Sequence, residues 1–157
     1  MSLYTLERSQ KIPATIEKIW DFISSPVNLK EITPEDMGFE VTTKNLPGKI
    51  YPGMIISYKV RPLWGLKMIW VTSITQVKEK EFFVDEQQLG PYKFWHHQHH
   101  IRNIEGGVLM TDIVNYSPPF GFIGRIANSL FIQKRLNEIF EFRSRKMEAL
   151  FGKFHDS

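Results

Sequence analysis

The sequence contains no cysteine, which excludes thiol catalysis, cysteine-ligated zinc and iron–sulfur clusters. It also lacks any run approaching the roughly 18 apolar residues of a membrane-spanning helix. The N-terminal segment reaches Glu7 and Arg8 too early to contain the apolar core of a signal peptide. These absences predict a cytoplasmic protein with no integral membrane segment.

A strong excess of one charge is missing as well. Lys and Arg total 20 and Asp and Glu total 17, so the net charge is only +3, which does not indicate nucleic-acid binding without a clustered basic patch. The sequence has no P-loop, no dinucleotide-binding glycine motif, no nucleophile elbow and no His-Glu-x-x-His motif. We therefore expect no nucleic-acid partner, no cofactor and no bound metal.

Aromatic residues, in contrast, are abundant. Phe, Trp and Tyr number 12, 4 and 5, or 13% of the 157 residues. A chain of this length fits one domain, residues 1–157, and can bury roughly 70% of the surface that its unfolded form exposes. A core of that size does not obviously need so many large flat side chains, so their location bears on function.

Hydrophobic periodicity predicts a strand over 3–12 followed by two short helices, at 14–23 and from Pro26 to about residue 32. The first helix has apolar residues at i, i+3, i+4 and i+7, the spacing of an amphipathic helix. Alternating apolar and polar residues between Gly and Pro turns then predict six antiparallel strands. These strands are expected at 38–44, 53–61, 66–78, 81–88, 92–104 and 108–116.

A long C-terminal helix is predicted over about residues 120–154. A straight helix of this length would extend about 45–50 Å, which exceeds a small domain, so we expect a kink or break near residues 129–133. Its apolar stripe is predicted to face the sheet on both sides of that break and to include Phe131, Phe140 and Phe151.

The element order predicts the α+β class, because strands run consecutively before a final helix. We expect a helix-grip arrangement in which a curved antiparallel sheet of about seven strands wraps around the long C-terminal helix. The two short helices after the first strand would close one end. Aromatic residues would form part of the wall of a hollow between the sheet and the helix.

Three local patterns resemble a known group of proteins. They are Gly90-Pro91-Tyr92 followed by Trp95-x-His97-x-His99-x-Ile101, then Met110-x-Asp112-x-Val114-x-Tyr116 with prolines and Gly121 beyond it, and Leu136, Ile139, Phe140 and Arg143 in the last helix. Together with the element order, the chain resembles the START-like, helix-grip superfamily (SRPBCC, Bet v 1-like), in a polyketide cyclase/dehydrase-like bacterial branch. This resemblance implies a ligand-binding domain, and the superfamily also includes aromatase/cyclase enzymes.

Four of the five histidines lie between residues 96 and 100. Because alternate side chains of a strand share a face, His97 and His99 share a face with Trp95 and are expected to point inward. A two-residue turn near Glu105-Gly106-Gly107 would place Asp112 opposite or diagonal to His99 on that same face. An inward carboxylate needs a partner, and the two histidines are the nearest candidates.

Three interpretations of this cluster remain open. His97, His99 and Asp112 could form a buried polar network that fixes the sheet and lines a pocket, and Glu86 could join it if the preceding hairpin keeps its alternation. The same residues could act as an acid–base pair on a bound ligand. A metal held by the two histidines and Asp112 is geometrically possible and is the reading that the spacing supports least.

The function expected from the sequence is binding of a hydrophobic or amphipathic small molecule, lipid- or polyketide-like, between sheet and helix. The residues expected to line the site are Tyr58, Trp95, His97, His99, Asp112 and Tyr116. The alternative is a cyclase or dehydratase in which an inward histidine is the base, with Asp112 fixing its tautomer. An interaction module with a filled interior is a third reading, and a hairpin tip at Leu63-Trp64 is expected to fold over its own sheet.

Overall fold

The computed structural model describes residues 2–62 and 65–155, apart from the side chains of residues 128 and 129. The predicted tip at Leu63 and Trp64 therefore lies outside the described residues. The elements follow the predicted order, and their bounds are β1 (Tyr4–Ile12), α1 (Ile16–Ile23), β2 (Glu40–Val41), β3 (Ile55–Val60), β4 (Met68–Lys78), β5 (Phe82–Leu89), β6 (Phe94–Ile104), β7 (Gly107–Ser117), α2 (Gly121–Ala127) and α3 (Gln133–Phe151). Short 3₁₀ turns at Pro26–Lys30 and Glu35–Met37 take the place of the second short helix.

The seven strands form one antiparallel sheet in the order β1-β7-β6-β5-β4-β3-β2. The first strand is thus hydrogen-bonded to the last, while the strands from β2 to β7 each pair with the next along the chain. The predicted α+β helix-grip arrangement is confirmed. The strand predicted at 38–44 is reduced to the two residues of β2.

The long C-terminal helix packs against the inward face of the sheet. Four residues of α3 at i, i+4, i+7 and i+11 are buried, namely Leu136, Phe140, Arg143 and Met147. This spacing is that of a helix with one buried face. Three of the four are apolar, so the buried arginine stands out and anticipates the site described below.

The break expected in the C-terminal helix is a π-helical segment at Asn128–Ile132 between α2 and α3. The prediction that one stripe continues across the break is wrong. Phe131 is 52% exposed, and Ile123 and Leu130 are 70% and 59% exposed. The wider π turn inserts an extra residue into the helical repeat, so Ile123 before it and Leu130 and Phe131 within it point away from the face that α3 buries. Among the described residues, no helix is both long and apolar enough to cross a membrane.

The turn between β6 and β7 fixes the register on which the site depends. Ile104 pairs with Gly107, so the loop contains only Glu105 and Gly106, and Gly106 adopts φ +80°. A two-residue hairpin loop requires such positive φ, which glycine adopts readily. The predicted two-residue turn is therefore confirmed, and it determines which residues of β7 lie opposite the histidines.

Candidate ligand site beside a buried histidine–aspartate network

Strand β6 presents its histidines to both faces of the sheet. Burial alternates along the strand, and Trp95, His97, His99 and Ile101 are the buried set. His99 lies directly opposite Asp112 on β7, and both are almost completely buried, at 5% and 3% exposure. The inward register predicted for the two histidines and the cross-strand placement of Asp112 are both confirmed.

The acidic residue contributed by β5 is Asp85, and the expectation that Glu86 joins the network is wrong. Asp85 pairs with His97, whereas Glu86 pairs with His96 and accepts a hydrogen bond of 2.7 Å from its Nδ1 on the other face. The β5–β6 ladder ends there, and the side chain of the next residue, Gln87, bonds the backbone O and N of Tyr92 in the turn. The resulting register differs by one residue from the alternation assumed from sequence, which reverses the faces of β5.

The two histidines and two aspartates form a closed ring of polar contacts. Asp112 Oδ1 lies 3.0 Å from His97 Nε2 and 3.0 Å from His99 Nδ1. Asp85 Oδ2 lies 2.6 Å from His99 Nε2 and 3.6 Å from His97 Nδ1. The two imidazole rings are tilted by 34° to each other, with centroids 3.7 Å apart, and Phe83 stacks on His99 with its ring centroid 4.0 Å away. Each imidazole thus lies between the same two carboxylates.

Arg143 connects this ring to the C-terminal helix. Its Nη2 lies 3.5 Å from Asp112 Oδ1 and 3.4 Å from His99 Nδ1, and the residue is only 7% exposed. A buried guanidinium needs an anionic partner, and Asp112 provides it. The network therefore joins three neighbouring strands to α3.

The environment separates the protonation behaviour of the two histidines. Burial and the neighbouring charge of His99 lower the pKa of His97. Burial also acts to lower the pKa of His99, but hydrogen bonds to Asp112 and Asp85 outweigh it, so this pKa is raised. His99 is therefore the histidine that holds a second proton more readily.

Both carboxylates remain ionised in spite of burial. Burial acts to raise the pKa of Asp112, but the charge of Arg143 and hydrogen bonds from the two histidines hold it well below its usual value. The pKa of Asp85 is likewise lowered, because its interactions with His97 and His99 outweigh burial. When His99 is protonated, the two anions, Asp85 and Asp112, are balanced by two cations, His99 and Arg143. This balance offsets the free energy cost of burying the charges.

A cavity of about 170 Å³ lies between the sheet and α3, next to this network. Most of its wall is aliphatic or aromatic, and the acidic and basic residues in the wall are Asp85, His97, His99 and Arg143. Apolar residues of the wall come from the sheet, from the segment after α1 and from α3; they include Ile23, Leu29, Ile32, Ile56, Ile74, Leu136 and Phe140. Such a wall, apolar with a few clustered polar groups, is typical of small-molecule sites.

The six residues predicted to line the site divide into two sets. Tyr58, Trp95, His97 and His99 are part of the cavity wall. Asp112 and Tyr116 are buried behind it. Asp112 contacts three residues of the wall, His97, His99 and Arg143. Tyr116 packs against the ring of Trp95 with centroids 6.4 Å apart.

Trp70, Thr72 and Arg143 are among the polar residues of the wall that were not assigned to the site from sequence. Trp70 belongs to an aromatic cluster with Trp95, at 5.2 Å between centroids, and the Tyr58 hydroxyl shares a hydrogen bond of 2.9 Å with Thr72 Oγ1. From sequence, Arg143 was noted only in the family-like pattern of the last helix. The signal that could have identified it is a charged residue at a stripe position, seven residues after Leu136, where an apolar side chain is expected.

No protein-family model and no curated protein matches the sequence, whereas solved structures do. The di-domain ARO/CYC BexL from the BE-7585A biosynthetic pathway matches with a TM-score of 0.71 and 12% identity, over 98% of this chain and 51% of BexL. A START superfamily protein from Mycobacterium smegmatis matches with a TM-score of 0.68 and 12% identity, over 94% of this chain and 96% of that one. Ara h 8.0201 matches with a TM-score of 0.59 and 14% identity, over 94% and 99%. The chain therefore has the START-like helix-grip fold.

Proposed function

We propose that this chain binds a small amphipathic molecule in the cavity between the sheet and α3. The observation that carries this proposal is the composition of the wall, which is mainly apolar but includes a group of four ionisable side chains. The apolar part would bury the hydrocarbon portion of a ligand, and the polar group would orient it. The likeness in fold to a START superfamily protein and to Ara h 8.0201 is consistent with this role.

Two donors in the wall indicate what the polar end of the ligand carries. Within the described part of the chain, the buried Trp70 Nε1 and Arg143 Nε have no hydrogen-bond partner. A buried donor without a partner costs about 1–3 kcal/mol. An oxygen acceptor on the ligand, such as a carbonyl or carboxylate, would remove that cost. We therefore propose a ligand with an apolar body and an acceptor oxygen.

The size of the cavity limits the apolar body. An engineered apolar cavity of roughly 150 Å³ admits benzene, and the cavity here is about 170 Å³. A ligand on the scale of one substituted ring fits this volume. For a lipid or polyketide, the cavity could accommodate only one end of the molecule unless the wall moved.

A matched pair of probes tests this proposal. Acetophenone and isopropylbenzene have nearly the same shape, but only acetophenone has an acceptor oxygen. In calorimetric titrations, both are expected to bind, with acetophenone about tenfold tighter for one added hydrogen bond. In the Ile56→Phe variant, which fills the cavity, binding should be lost, whereas Ile55→Phe on the outer face should bind normally. Failure of both probes to bind the folded protein would contradict the proposal.

A second candidate function is a cyclase or dehydratase, favoured by the histidine network and by the likeness in fold to the ARO/CYC protein BexL. His97 donates Nε2–H to Asp112 when neutral, which leaves Nδ1 as a base at the cavity wall, while Arg143 would stabilise an enolate oxygen. The test is exchange of the acetophenone methyl protons in D₂O, followed by NMR. Exchange that exceeds the buffer rate and is lost in His97→Gln supports this function, and exchange at the buffer rate eliminates it.

A further inference from the structure

The two inward histidines use one ring nitrogen each for Asp112 and turn the other toward Asp85. His97 Nε2 and His99 Nδ1 are both 3.0 Å from Asp112 Oδ1. The remaining nitrogens, His97 Nδ1 and His99 Nε2, are 3.6 and 2.6 Å from Asp85 Oδ2. Two imidazole nitrogens and one carboxylate oxygen therefore converge on the same small volume.

We infer that Asp85, His97 and His99 form a binding site for one divalent transition-metal ion. Their donor atoms all lie within 4.8 Å of one another. Metal–ligand distances near 2.1 Å in tetrahedral geometry place donor atoms about 3.4 Å apart. The distance of 3.6 Å between His97 Nδ1 and Asp85 Oδ2 is already close to this value. The distance of 2.6 Å between His99 Nε2 and Asp85 Oδ2 would have to increase by about 0.8 Å. Two histidines and one carboxylate suit Zn²⁺, Fe²⁺ or Co²⁺.

Asp112 occupies the place of the carboxylate that supports metal-binding histidines. A histidine that binds a metal usually donates its other ring N–H to a carboxylate or carbonyl, which fixes the tautomer. Asp112 is positioned to accept such a bond from both rings, and it is itself held by Arg143, whose Nη2 is 3.5 Å away. The metal site read from the sequence used Asp112 as a ligand; the structure assigns that role to Asp85.

The charge of the network also favours a cation. With both histidines neutral, the two carboxylates and Arg143 leave a net charge of −1 in a buried position. A divalent ion bound between His99 Nε2 and Asp85 Oδ2 would offset this negative charge. Binding of such an ion adds attraction without displacing Arg143, which lies on the Asp112 side.

The inferred site opens toward the ligand cavity, because Asp85, His97 and His99 all belong to its wall. Coordination positions not filled by protein would face a bound molecule, and the ion would polarise an oxygen of that molecule as a Lewis acid. A metal on His97 Nδ1 removes the lone pair that the base role requires. The metal site and the metal-free acid–base function are therefore mutually exclusive, and probe binding in the cavity can succeed or fail independently of either.

The wild-type chain provides the first test, after removal of metals with EDTA and dialysis. Titration with Co²⁺ and Zn²⁺ is expected to show one equivalent bound per chain, and Co²⁺ should give visible absorption bands. In spectra of ¹⁵N-histidine-labelled protein, Zn²⁺ should shift the signals of His97 and His99 and leave those of His96, His100 and His155 in place. No stoichiometric binding by the folded chain, or shifts confined to His96 and His100, would overturn the inference.

Variants then assign the ligands. Asp85→Asn should weaken Zn²⁺ binding by about 100-fold or more, and Asp112→Asn by about 10- to 100-fold. Glu86→Gln is the matched control on the same strand, because the histidine that Glu86 contacts is His96, on the outer face. The Zn²⁺ affinity of this variant should equal the wild-type value. Unchanged affinity in a folded Asp85→Asn variant would overturn the assignment. If that variant does not fold, the wild-type histidine spectra still decide.

Discussion

His99 and Asp112 lie directly opposite each other across β6 and β7, with His99 Nδ1 3.0 Å from Asp112 Oδ1. Both side chains are buried, and Arg143 approaches the same oxygen from α3. This pair therefore connects the sheet to the helix that it grips, at the edge of the cavity. The same residues can therefore stabilise the fold and contact a ligand, and substitutions distinguish these two roles.

Arg143→Met should destabilise the fold strongly. The substitution retains much of the apolar stem but leaves Asp112 without its cation in a buried position, which typically costs about 3–5 kcal/mol. Urea unfolding measures the free energy of unfolding. Arg145→Met is the control two residues along α3. Among the described residues, the ion pair of Arg145 is an exposed one with Glu141, for which about 1 kcal/mol or less is expected. Equal losses in the two variants would contradict the account of the network.

Trp70→Phe should weaken acetophenone binding about tenfold, the effect of one lost hydrogen bond to the carbonyl oxygen. Isopropylbenzene, which has no acceptor, should lose much less affinity. Trp20→Phe removes the same indole N–H from a buried residue that is not part of the cavity wall, and it should leave both affinities unchanged. Calorimetry with the two probes on each variant measures the difference. A parallel loss for both probes in Trp70→Phe would show that the N–H does not contact the ligand oxygen.

Leu136→Ala should enlarge the cavity from the helix side. Leu136 is 2% exposed and belongs to the cavity wall, so its truncation is expected to cost about 2–5 kcal/mol of stability. The larger space should admit 2-acetylnaphthalene, a two-ring ketone, more tightly than the wild type does. Leu150→Ala, on the same helix at 45% exposure, is the control and should change neither property much. A folded Leu136→Ala variant that binds 2-acetylnaphthalene no more tightly than the wild type would place the ligand elsewhere.

Gly107→Ala should disturb the pairing of β7 with β1. A Cβ at this position would overlap the carbonyl oxygen of Ile12, so the strands must separate, at a cost of about 1–3 kcal/mol. Gly48→Ala is the control, because a Cβ there meets nothing within 4 Å. It should stabilise the protein by about 0.4–1 kcal/mol through the unfolded state. Thermal unfolding of both variants should therefore show shifts of opposite sign.

The order of elements and the inward face of β6 could be predicted because each has a local cause. Alternation along β6 places His97 and His99 on the face of Trp95, whose apolar ring must be buried. The two-residue turn before β7 then fixes Asp112 opposite His99. In both cases short-range rules, strand periodicity and turn geometry, decide the position of a side chain.

The parts that sequence reasoning missed depend on contacts between distant elements. Asp85 faces inward because it pairs with His97 across β5 and β6, a register that the alternation within β5 does not determine. The buried position of Arg143 is explained only by its contact with Asp112, which forms when α3 packs against the sheet. The π turn at Asn128–Ile132 was expected as a break, but its effect on the faces of the helix depends on one extra residue per turn.

The most direct test of the central claim, a ligand cavity between sheet and α3, is an intermolecular NOE measurement on the complex with acetophenone. Ile55 and Ile56 are adjacent on β3 but lie on opposite faces, at 52% and 5% exposure. The cavity predicts NOEs from the phenyl ring to the Ile56 methyl groups and from the acetophenone methyl group to the Trp70 indole N–H. NOEs to Ile55 without any to Ile56, or none to either, would contradict it.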